Sequence, residues 1–316
     1  MLLDLSPAFG YVIGIELMPK EMRLVLLDFS TKIRFQNIYS INLLGQANRM
    51  EEEVRRIIKQ VLTGQKIAPD KVLGVGLGIP GLIDARKGLI RYSHTFGLKD
   101  VPFGEMVQRH FSFPVAIGND ANAGALGIKW LSRTEHLVPN ILYVTINQNF
   151  RGMGTGLIIN HELYEGAHGF AGEITSFLLP AQRQRIVAQA QEKYGKNAGI
   201  VKRLAAQEPG NIPVVEVVEE ATQGDEAAKH ILRQIAKVIG MKLSQLVDIL
   251  DPHIVVIGGD ICGAEKFIAK IIRERVHHTG ITEFNRKLTV QFSAFGIYSV
   301  AMGSTALILQ RIFRQQ

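Results

Sequence analysis

The stretch Pro114–Leu131, "PVAIGNDANAGALGIKWL", decides the fold of this chain. Its apolar first part, "PVAIGND", indicates a buried β-strand, and "DANAGALGIKWL" begins a helix directly behind it. Asn119 or Asp120 would be the N-cap of that helix, because Asn and Asp are preferred at this position. A strand that passes straight into a helix is typical of α/β proteins, in which ligands bind at the carboxyl ends of the strands.

Two polar side chains at this junction are candidates for chemistry. Asp120 could accept a proton from a substrate hydroxyl, and Asn119 could donate and accept hydrogen bonds with neighbouring hydroxyls. Helix capping explains the same two residues without any ligand. The junction is therefore a candidate binding or catalytic site, and capping is the alternative interpretation.

The elements around the junction recur along the chain. Three β-rich runs fill Tyr11–Leu44 as a meander, a helix ends at Gly64, and the strand Val72–Gly81 precedes the junction. After it, "ILYVTIN" and "GTGLIIN" are paired strands, helices fill Val214–Leu250, and another strand ends in Gly258–Gly259. The repeated order predicts two similar α/β domains that face each other across a cleft.

We place the domain boundaries at this junction. The smaller domain is predicted to contain residues 1–117 together with 300–316, and the larger domain residues 118–299. A chain of 316 residues is long enough for two domains, each with its own hydrophobic core.

Composition excludes several classes of protein. The chain is 47% hydrophobic and 21% charged, and no apolar run approaches the roughly 20 residues of a membrane span. The start, "MLLDLSPAFG", has an acid and lacks the basic beginning of a signal peptide. A single cysteine, Cys262, excludes an internal disulfide framework and is typical of the reducing cytoplasm, where we expect the protein to reside.

The net charge of +7 favours anionic partners without identifying one. Positive charge is concentrated in the segment Ala181–Ala206, which has one acid, Glu192. The basic residues of this segment are Arg183, Arg185, Lys193, Lys196, Lys202 and Arg203. The segment is either a solvated helical face or a contact for a polyanion.

Two further motifs are candidates for sugar contacts. In "GAHGFAGEITS" (Gly166–Ser176), Glu173 could accept hydrogen bonds from paired hydroxyls, or it could support a helix N-terminus. In "GIPGLIDARKG" (Gly78–Gly88), Gly and Pro set a sharp turn after a strand, and turn geometry alone would explain them.

Together these pieces resemble one family, the ROK group of repressors, open reading frames and sugar kinases. The matching stretches, in family order, are "GIPGLID", "GNDANAGALG", "LIINHELYEGAHGFAGEI", "ATQGDEAAKHIL", "LDPHIVVIGGDI" and "GIYSVAMGSTALIL". The resemblance implies an actin-like ATPase fold of two ribonuclease-H-like domains with a sugar pocket between them. It places Asp120 at the position of the catalytic base of the family kinases, and Asn119, Glu173 and Gly81 at sugar-contacting positions.

The first phosphate loop of the family kinases is altered in this chain. That loop resembles Asp-x-Gly-Gly-Thr-Lys, and the matching stretch here is Glu16–Lys20, "ELMPK". Pro19 has no amide donor. Leu17 and Met18 add bulk where glycine would let backbone amides approach phosphate oxygens.

The second phosphate turn of the family is altered as well. Anchoring on "LIIN" places it on Phe150–Gly156, so the visible "GTG" is out of register with the phosphate-binding one. Arg151 and Gly152, with Gly258 and Gly259 at the family's adenosine-side turn, are the candidate nucleotide-binding residues. We interpret this nucleotide site as vestigial.

Two other departures concern zinc and sugar specificity. Ser176 stands where the family has a zinc-binding and sugar-holding His, and the family's cysteine cluster is missing, so we expect no zinc site. Thr95 replaces the Asn of a motif that resembles "SPNLGW". Ser176 and Thr95 therefore predict an altered sugar pocket.

These observations predict a carbohydrate-sensing domain of a ROK-type transcriptional regulator, without kinase activity and without a bound cofactor. Its ligand would be a sugar or sugar phosphate, and the resemblance implies a homodimer that binds DNA only through a winged helix-turn-helix, which is absent from this chain. The alternative is a sugar kinase that uses ATP and Mg²⁺ with Asp120 as general base. A third hypothesis is an adaptor that binds DNA or protein through the basic segment. No membrane contact is expected.

Overall fold

The structure is a computed structural model that describes residues 6–132, 137–148, 150, 152–174, 177–196, 199–207, 211–277 and 288–314. The chain divides into two compact units. The first unit comprises Met1–Leu137, Gly156–Ala171 and Tyr298–Gln316, and the second comprises Val138–Thr155 and Gly172–Ile297.

The first sheet has five strands in the order β3-β2-β1-β4-β8. Strands β1 to β3 form the antiparallel meander that the sequence predicts, and β4 and β8 continue the sheet parallel to β1. The bounds are Tyr11–Leu17 (β1), Glu21–Asp28 (β2), Ile33–Ser40 (β3), Val72–Ile79 (β4) and Val115–Asn119 (β8).

Helices cover both faces of this sheet. Alternating side chains of β1, among them Ile13 and Ile15, belong to the core that includes α1 (Ala47–Gly64). On the other face, a Cβ at Gly76 would lie only 1.8 Å from the carbonyl oxygen of Ser304, in the last helix. Glycine is therefore required there, because the helix backbone lies directly on the strand.

The helix that follows the junction, α3 (Asp120–Leu131), belongs to the first unit. It packs on the last helix, α9 (Ser299–Arg314), where a Cβ at Gly127 would come within 2.6 Å of the Cα of Gly303. The compact units therefore differ from the predicted boundary between residues 117 and 118, which assigned α3 to the second domain.

A small antiparallel sheet follows β4, where the sequence indicated only a sharp turn. Its strands are β5 (Leu82–Asp84), β6 (Leu89–Ser93) and β7 (Leu98–Val101). The short helix α2 (Phe103–Gln108) then leads to β8. The paired residues of these short strands lie no more than 11 positions apart along the chain, as Ile90 and Val101 do.

The second sheet has the order β11-β10-β9-β13-β14, with β12 beside the start of β10. Strands β9, β13 and β14 are parallel, and β10 passes from the second unit into the first at Gly156. The bounds are Ile141–Thr145 (β9), Met153–Ile159 (β10), Glu162–Leu163 (β11), Glu173–Ile174 (β12), Ile254–Gly258 (β13) and Thr289–Phe292 (β14).

Five α-helices among the described residues complete the second unit. They are α4 (Pro180–Tyr194), α5 (Gly199–Ala205), α6 (Val214–Thr222), α7 (Glu226–Leu250) and α8 (Glu265–His277). The two sheets share one strand order, in which the third, second and first strands are followed by the fourth and fifth. This repeat confirms the predicted α/β class with two similar units. Within the described ranges, no helix combines the length and the apolar character that a membrane span requires.

Candidate functional site

Asn119 connects three elements of the first unit. It is the last residue of β8 and the N-cap of α3, where its Oδ1 accepts a hydrogen bond from the amide of Asn122 at 3.0 Å. Its Nδ2 donates to the carbonyl oxygen of Gly81 at 3.0 Å. The capping interpretation is therefore correct for Asn119, and the side chain also fixes the turn that follows β4.

Asp120 is the first residue of α3 and is half-buried. Its Oδ1 accepts a hydrogen bond from the amide of Ala121 at 2.9 Å. Burial raises the pKa of its carboxyl to about 6 from 3.8, against the opposing effect of backbone amides and the Asn119 side chain. The group is a carboxylate at neutral pH, and a pKa near 6 suits it to accept a proton from a hydroxyl.

The turn after β4 is held from two sides. Gly81 has a φ of 124°, and a Cβ there would lie 2.5 Å from the carbonyl oxygen of Tyr92. The buried hydroxyl of Ser93 donates to the carbonyl oxygen of Pro80 at 2.6 Å. The structure thus brings Gly81 together with Asn119, and only glycine fits the turn without strain.

Thr95 lies in the turn between β6 and β7 and is exposed. This turn is joined to the Pro80 turn through Ser93, whose hydroxyl also accepts from the amide of Phe96 at 3.4 Å. The hydroxyl of Tyr92 lies 3.5 Å from Nδ1 of His94 on the same surface. His94 belongs to the sequence motif that contains Thr95, whereas Tyr92 was not singled out from the sequence.

The hairpin between β1 and β2 contains Glu16–Lys20, the stretch that the sequence analysis compares with the first phosphate loop of the family kinases. The amide of Met18 donates to the carbonyl oxygen of Glu21 at 3.0 Å and closes a turn with only Pro19 and Lys20 between. Leu17 and Met18 are buried in the core. This tight turn leaves no glycine-lined backbone that could surround a phosphate group.

A buried ion pair lies behind this hairpin. Glu16 and Arg23 are directly opposite in the β1–β2 register, and Arg23 Nη1 lies 3.7 Å from Glu16 Oε2. Arg23 Nη2 also lies 2.5 Å from Glu21 Oε1. The carboxylate at the family's Asp position therefore has an internal cation as counter-ion, and the residues present do not fit a phosphate loop with its Mg²⁺.

The second glycine-rich stretch is part of a strand. Residues from Met153 onward form β10, and a Cβ at Gly156 would lie 2.3 Å from the carbonyl oxygen of Ala121. Gly156 is therefore needed for packing against α3. Gly152 is exposed with open space around its Cα. Arg151 lies outside the described residues.

Glu173 belongs to the second unit, whereas Gly81, Thr95, Asn119 and Asp120 belong to the first. It is exposed and lies in β12, where it pairs with Gly154. The interpretation of Glu173 as a helix N-terminal residue is therefore wrong, because no helix begins there among the described residues. Ser176 lies outside the described residues.

Gly258 and Gly259 end β13 against polar side chains of β9 and the loop behind it. A Cβ at Gly258 would lie 2.3 Å from Tyr143 Oη, and one at Gly259, whose φ is 85°, would lie 2.2 Å from Asn147 Oδ1 and 2.7 Å from Thr145 Oγ1. Within the described part of the chain, the buried Thr145 hydroxyl makes no hydrogen bond. Both glycines are thus required by packing inside the second unit.

Asp260 fixes the loop beside this turn. Its Oδ2 accepts from the amide of Gln148 at 2.8 Å, and its own amide donates to Asn147 Oδ1 at 3.0 Å. Sequence reasoning missed Asp260 and Asn147, since the two lie 113 positions apart. Across the described residues, no group of three or more His, Cys, Asp and Glu side chains is arranged to hold a metal ion.

Two sheets with this strand order define two ribonuclease-H-like units, as in the actin-like fold. The sequence matches the ROK family over residues 12–311, and the chain belongs to that family.

Relatives in this family include regulators and sugar kinases. The xylose repressor of Caldicellulosiruptor bescii is 23% identical over 325 residues, which cover 98% of this chain and 80% of the repressor. A ROK family glucokinase from Streptomyces griseus, in complex with glucose and AMPPNP, has a TM-score of 0.77 at 21% identity, with 95% of this chain and 100% of that chain covered. A ROK family transcriptional regulator, a homologue of the E. coli MLC protein, has a TM-score of 0.76 at 17% identity over 96% of this chain and 79% of the regulator.

Proposed function

We propose that the chain is the carbohydrate-sensing part of a ROK-type transcriptional regulator and does not transfer phosphate. The β1–β2 hairpin is the observation that carries this proposal. Phosphoryl transfer depends on positioned charge around the phosphates, and this hairpin offers a two-residue turn with buried Leu17 and Met18 in its place.

The ion pair between Glu16 and Arg23 supports the same conclusion. A buried carboxylate with a guanidinium at 3.7 Å is already neutralised, so a metal ion would have to displace that guanidinium before it could bind there. The strand β10 supports it further, because Gly156 packs against α3 and is not part of a flexible loop.

Sugar recognition would be centred on Asp120 and Asn119. A carboxylate that is partly withdrawn from water makes strong hydrogen bonds with hydroxyl groups. Gly81 and Thr95, in the same unit, are further residues that we propose contact the sugar, and Glu173 and Ser176 are candidates from the family resemblance. A sugar or sugar phosphate is the proposed ligand, and relatives named for xylose and N-acetylglucosamine guide the choice of compounds.

Isothermal titration calorimetry tests this proposal directly. We expect D-xylose, D-glucose, N-acetylglucosamine, glucose 6-phosphate or N-acetylglucosamine 6-phosphate to bind to the wild-type chain, and AMPPNP with Mg²⁺ not to bind. A thermal-shift screen with the same compounds should give a shift with sugar and none with nucleotide. Nucleotide binding together with phosphorylation of a sugar would overturn the proposal.

A sugar kinase is the second candidate function, and Asp120 is the observation that favours it. A pKa of about 6 suits a general base that removes a proton from a sugar hydroxyl at neutral pH. A coupled assay of ADP release over a panel of hexoses and amino sugars would detect such turnover. Turnover that disappears in Asp120→Ala would establish the kinase.

We further propose that the chain is cytoplasmic and forms a homodimer within a regulator that binds DNA through a winged helix-turn-helix. In such a regulator, the binding of sugar would change the conformation of this chain and so bias the DNA-binding heads. Light scattering coupled to size-exclusion chromatography measures the oligomeric state, and a single peak at the 35.0 kDa mass of one chain would exclude the dimer.

A further inference from the structure

The basic segment Ala181–Ala206 divides into buried, paired and exposed cations. Arg183 is buried and donates to the carbonyl oxygen of Leu178, so it cannot contact a partner. Arg203 is paired with Glu216 at 2.7 Å and with Glu220. The hypothesis that Arg183 helps to bind a polyanion is therefore wrong, because this side chain is part of the packing of α4.

Another group of cations lies where α4 meets α7. The Tyr194 ring at the end of α4 lies 5.7 Å from the ring of His230 in α7, and Lys193 Nζ lies 5.3 Å from the centre of the Tyr194 ring. Arg233 is three residues after His230 and Lys237 is four residues after Arg233, which places all three on one face of α7. We call these five residues the α4–α7 patch.

The electrostatics of the patch agree with this geometry. His230 is half-buried, and its pKa is lowered first by burial and then by the positive charges of Lys193, Arg233 and Lys237. A residue whose protonation is opposed by three cations lies in a positive field that a bound anion would relieve.

Few acids offset this field. Among the described residues, Glu226 is the acid that forms a salt bridge with a patch cation, and its Oε2 is 3.7 Å from Arg233 Nη2. Glu226 is also shared, because Lys229 Nζ lies 2.7 Å from its Oε1. Both side chains of the Arg233 pair are more than 40% exposed, so solvent screens the attraction. The patch therefore presents a net positive surface.

The chemistry of the patch fits phosphate better than an acidic protein. Protein interfaces are organised around large apolar or aromatic side chains at their centre. Here the aromatic ring, Tyr194, is half-buried against His230, and the outward groups are Lys193, Arg233 and Lys237. Arg233 and Lys237 on α7 and Lys193 on α4 can each neutralise a phosphate group, and the binding of a phosphate backbone is driven by the release of counter-ions.

We propose that the α4–α7 patch binds the phosphate backbone of duplex DNA without reading its sequence. The proposal goes beyond sugar sensing and rests on the proposed function in one respect, since a DNA-binding regulator would hold this surface near a duplex. Contacts of this kind position a protein on DNA and carry no sequence information themselves.

Fluorescence anisotropy with a labelled duplex of arbitrary sequence tests the proposal, with NaCl varied from about 50 to 200 mM. We compare Lys193→Gln/Arg233→Gln/Lys237→Gln with a control, Lys59→Gln/Lys71→Gln/Lys270→Gln, which removes the same charge from exposed positions elsewhere. The patch variant should bind about tenfold more weakly at low salt, and its log–log salt dependence should lose a slope of about 2.7, which is three phosphate contacts. The control should bind within about twofold of wild type, as expected for a contribution from net charge alone.

Three results would overturn the proposal. They are equal losses in the two variants, no measurable binding of duplex by the wild-type chain at low salt, and displacement of the duplex by poly-L-glutamate at equal charge concentration. Calorimetry with sugar on the same variants keeps the two proposals separate, because a chain that binds DNA through the patch but no sugar contradicts only the sensor.

Discussion

The junctions after β8 and after β13 are built alike and use their aspartates differently. In each, a buried parallel strand ends and an Asp begins the next helical turn, Asp120 in α3 and Asp260 in the 3-10 helix Asp260–Ala264. The Asp260 carboxylate accepts from the amide of Gln148 and holds a loop. The Asp120 carboxyl has a pKa raised to about 6 and is bonded at the start of its own helix. The first junction thus keeps a carboxylate suited to a ligand, and the second has used its carboxylate for structure.

The different roles of the two aspartates can be tested by removing each carboxylate and measuring the binding of sugar. We expect Asp120→Ala to weaken sugar binding about 100-fold, because hydrogen bonds to a charged group contribute roughly 1.5–3 kcal/mol each. Asp260→Ala should bind sugar within about twofold of wild type. Calorimetry at pH 7.5 with the sugar identified in the screen gives both values. Equal affinities in the two variants would remove Asp120 from the proposed site.

The raised pKa of Asp120 also predicts how the free energy of unfolding depends on pH. The folded-state pKa of Asp120, about 6, exceeds the ordinary value of 3.8, so the folded chain binds this proton more tightly than the unfolded chain. The stabilisation that this bound proton gives to the folded chain is fully present below about pH 4 and is lost as pH rises through 6. The loss is roughly 2–3 kcal/mol.

Asp120→Asn tests this, because the amide imitates the protonated carboxyl. We expect the variant to be more stable than wild type by roughly 2–3 kcal/mol at pH 7.5 and no different below about pH 4. Chemical denaturation of both proteins from pH 4 to 7.5 measures the difference. A difference that stays constant over this range would contradict the raised pKa.

Removal of the Asp260 carboxylate should lower the stability of the chain and leave its affinity for sugar unchanged. Asp260→Ala removes the part-buried hydrogen bond from the amide of Gln148, which costs about 1–2 kcal/mol. Asp70→Ala, at an exposed position, is the control and should change stability by less than about 0.5 kcal/mol. Thermal unfolding of the three proteins compares them, and equal melting temperatures would show that Asp260 does not hold the loop.

The sequence predicted the repeated α/β order because the signals for its strands and helices lie in residues that are close together in the sequence. Alternating apolar runs, glycine at the ends of strands and an Asn-Asp cap each depend on neighbouring residues, as at Asn119 and Asp120. The altered hairpin could also be predicted from the sequence, since Pro19 has no amide N–H to donate in any surroundings.

The features that the sequence analysis did not predict depend on contacts between residues that are far apart in the sequence. Asn147 and Asp260 are 113 positions apart, and the burial of Arg183 depends on which face α4 turns to the core. The assignment of α3 to the first unit depends on the approach of Gly127 to Gly303 in the last helix. The patch on α4 and α7 also requires the Tyr194–His230 contact, which joins two helices separated by α5 and α6.

The smallest expected effect separates capping from binding at Asn119. Asn119→Ser keeps an oxygen that can accept a hydrogen bond from the amide of Asn122. It loses the Nδ2 group that donates to the carbonyl oxygen of Gly81. We expect Asn119→Ser to lower the free energy of unfolding by about 0.5–1 kcal/mol, and Asn119→Ala by about 1 kcal/mol more.

The affinity for sugar then distinguishes the two roles of this side chain. If Asn119 contacts the sugar as proposed, both variants should bind it about tenfold more weakly, since both lack the amide. If capping is its whole role, Asn119→Ser should bind as tightly as wild type and only Asn119→Ala should lose affinity. Calorimetry beside denaturation of the two variants therefore shows whether the residue next to Asp120 belongs to the site or only to the helix that presents it.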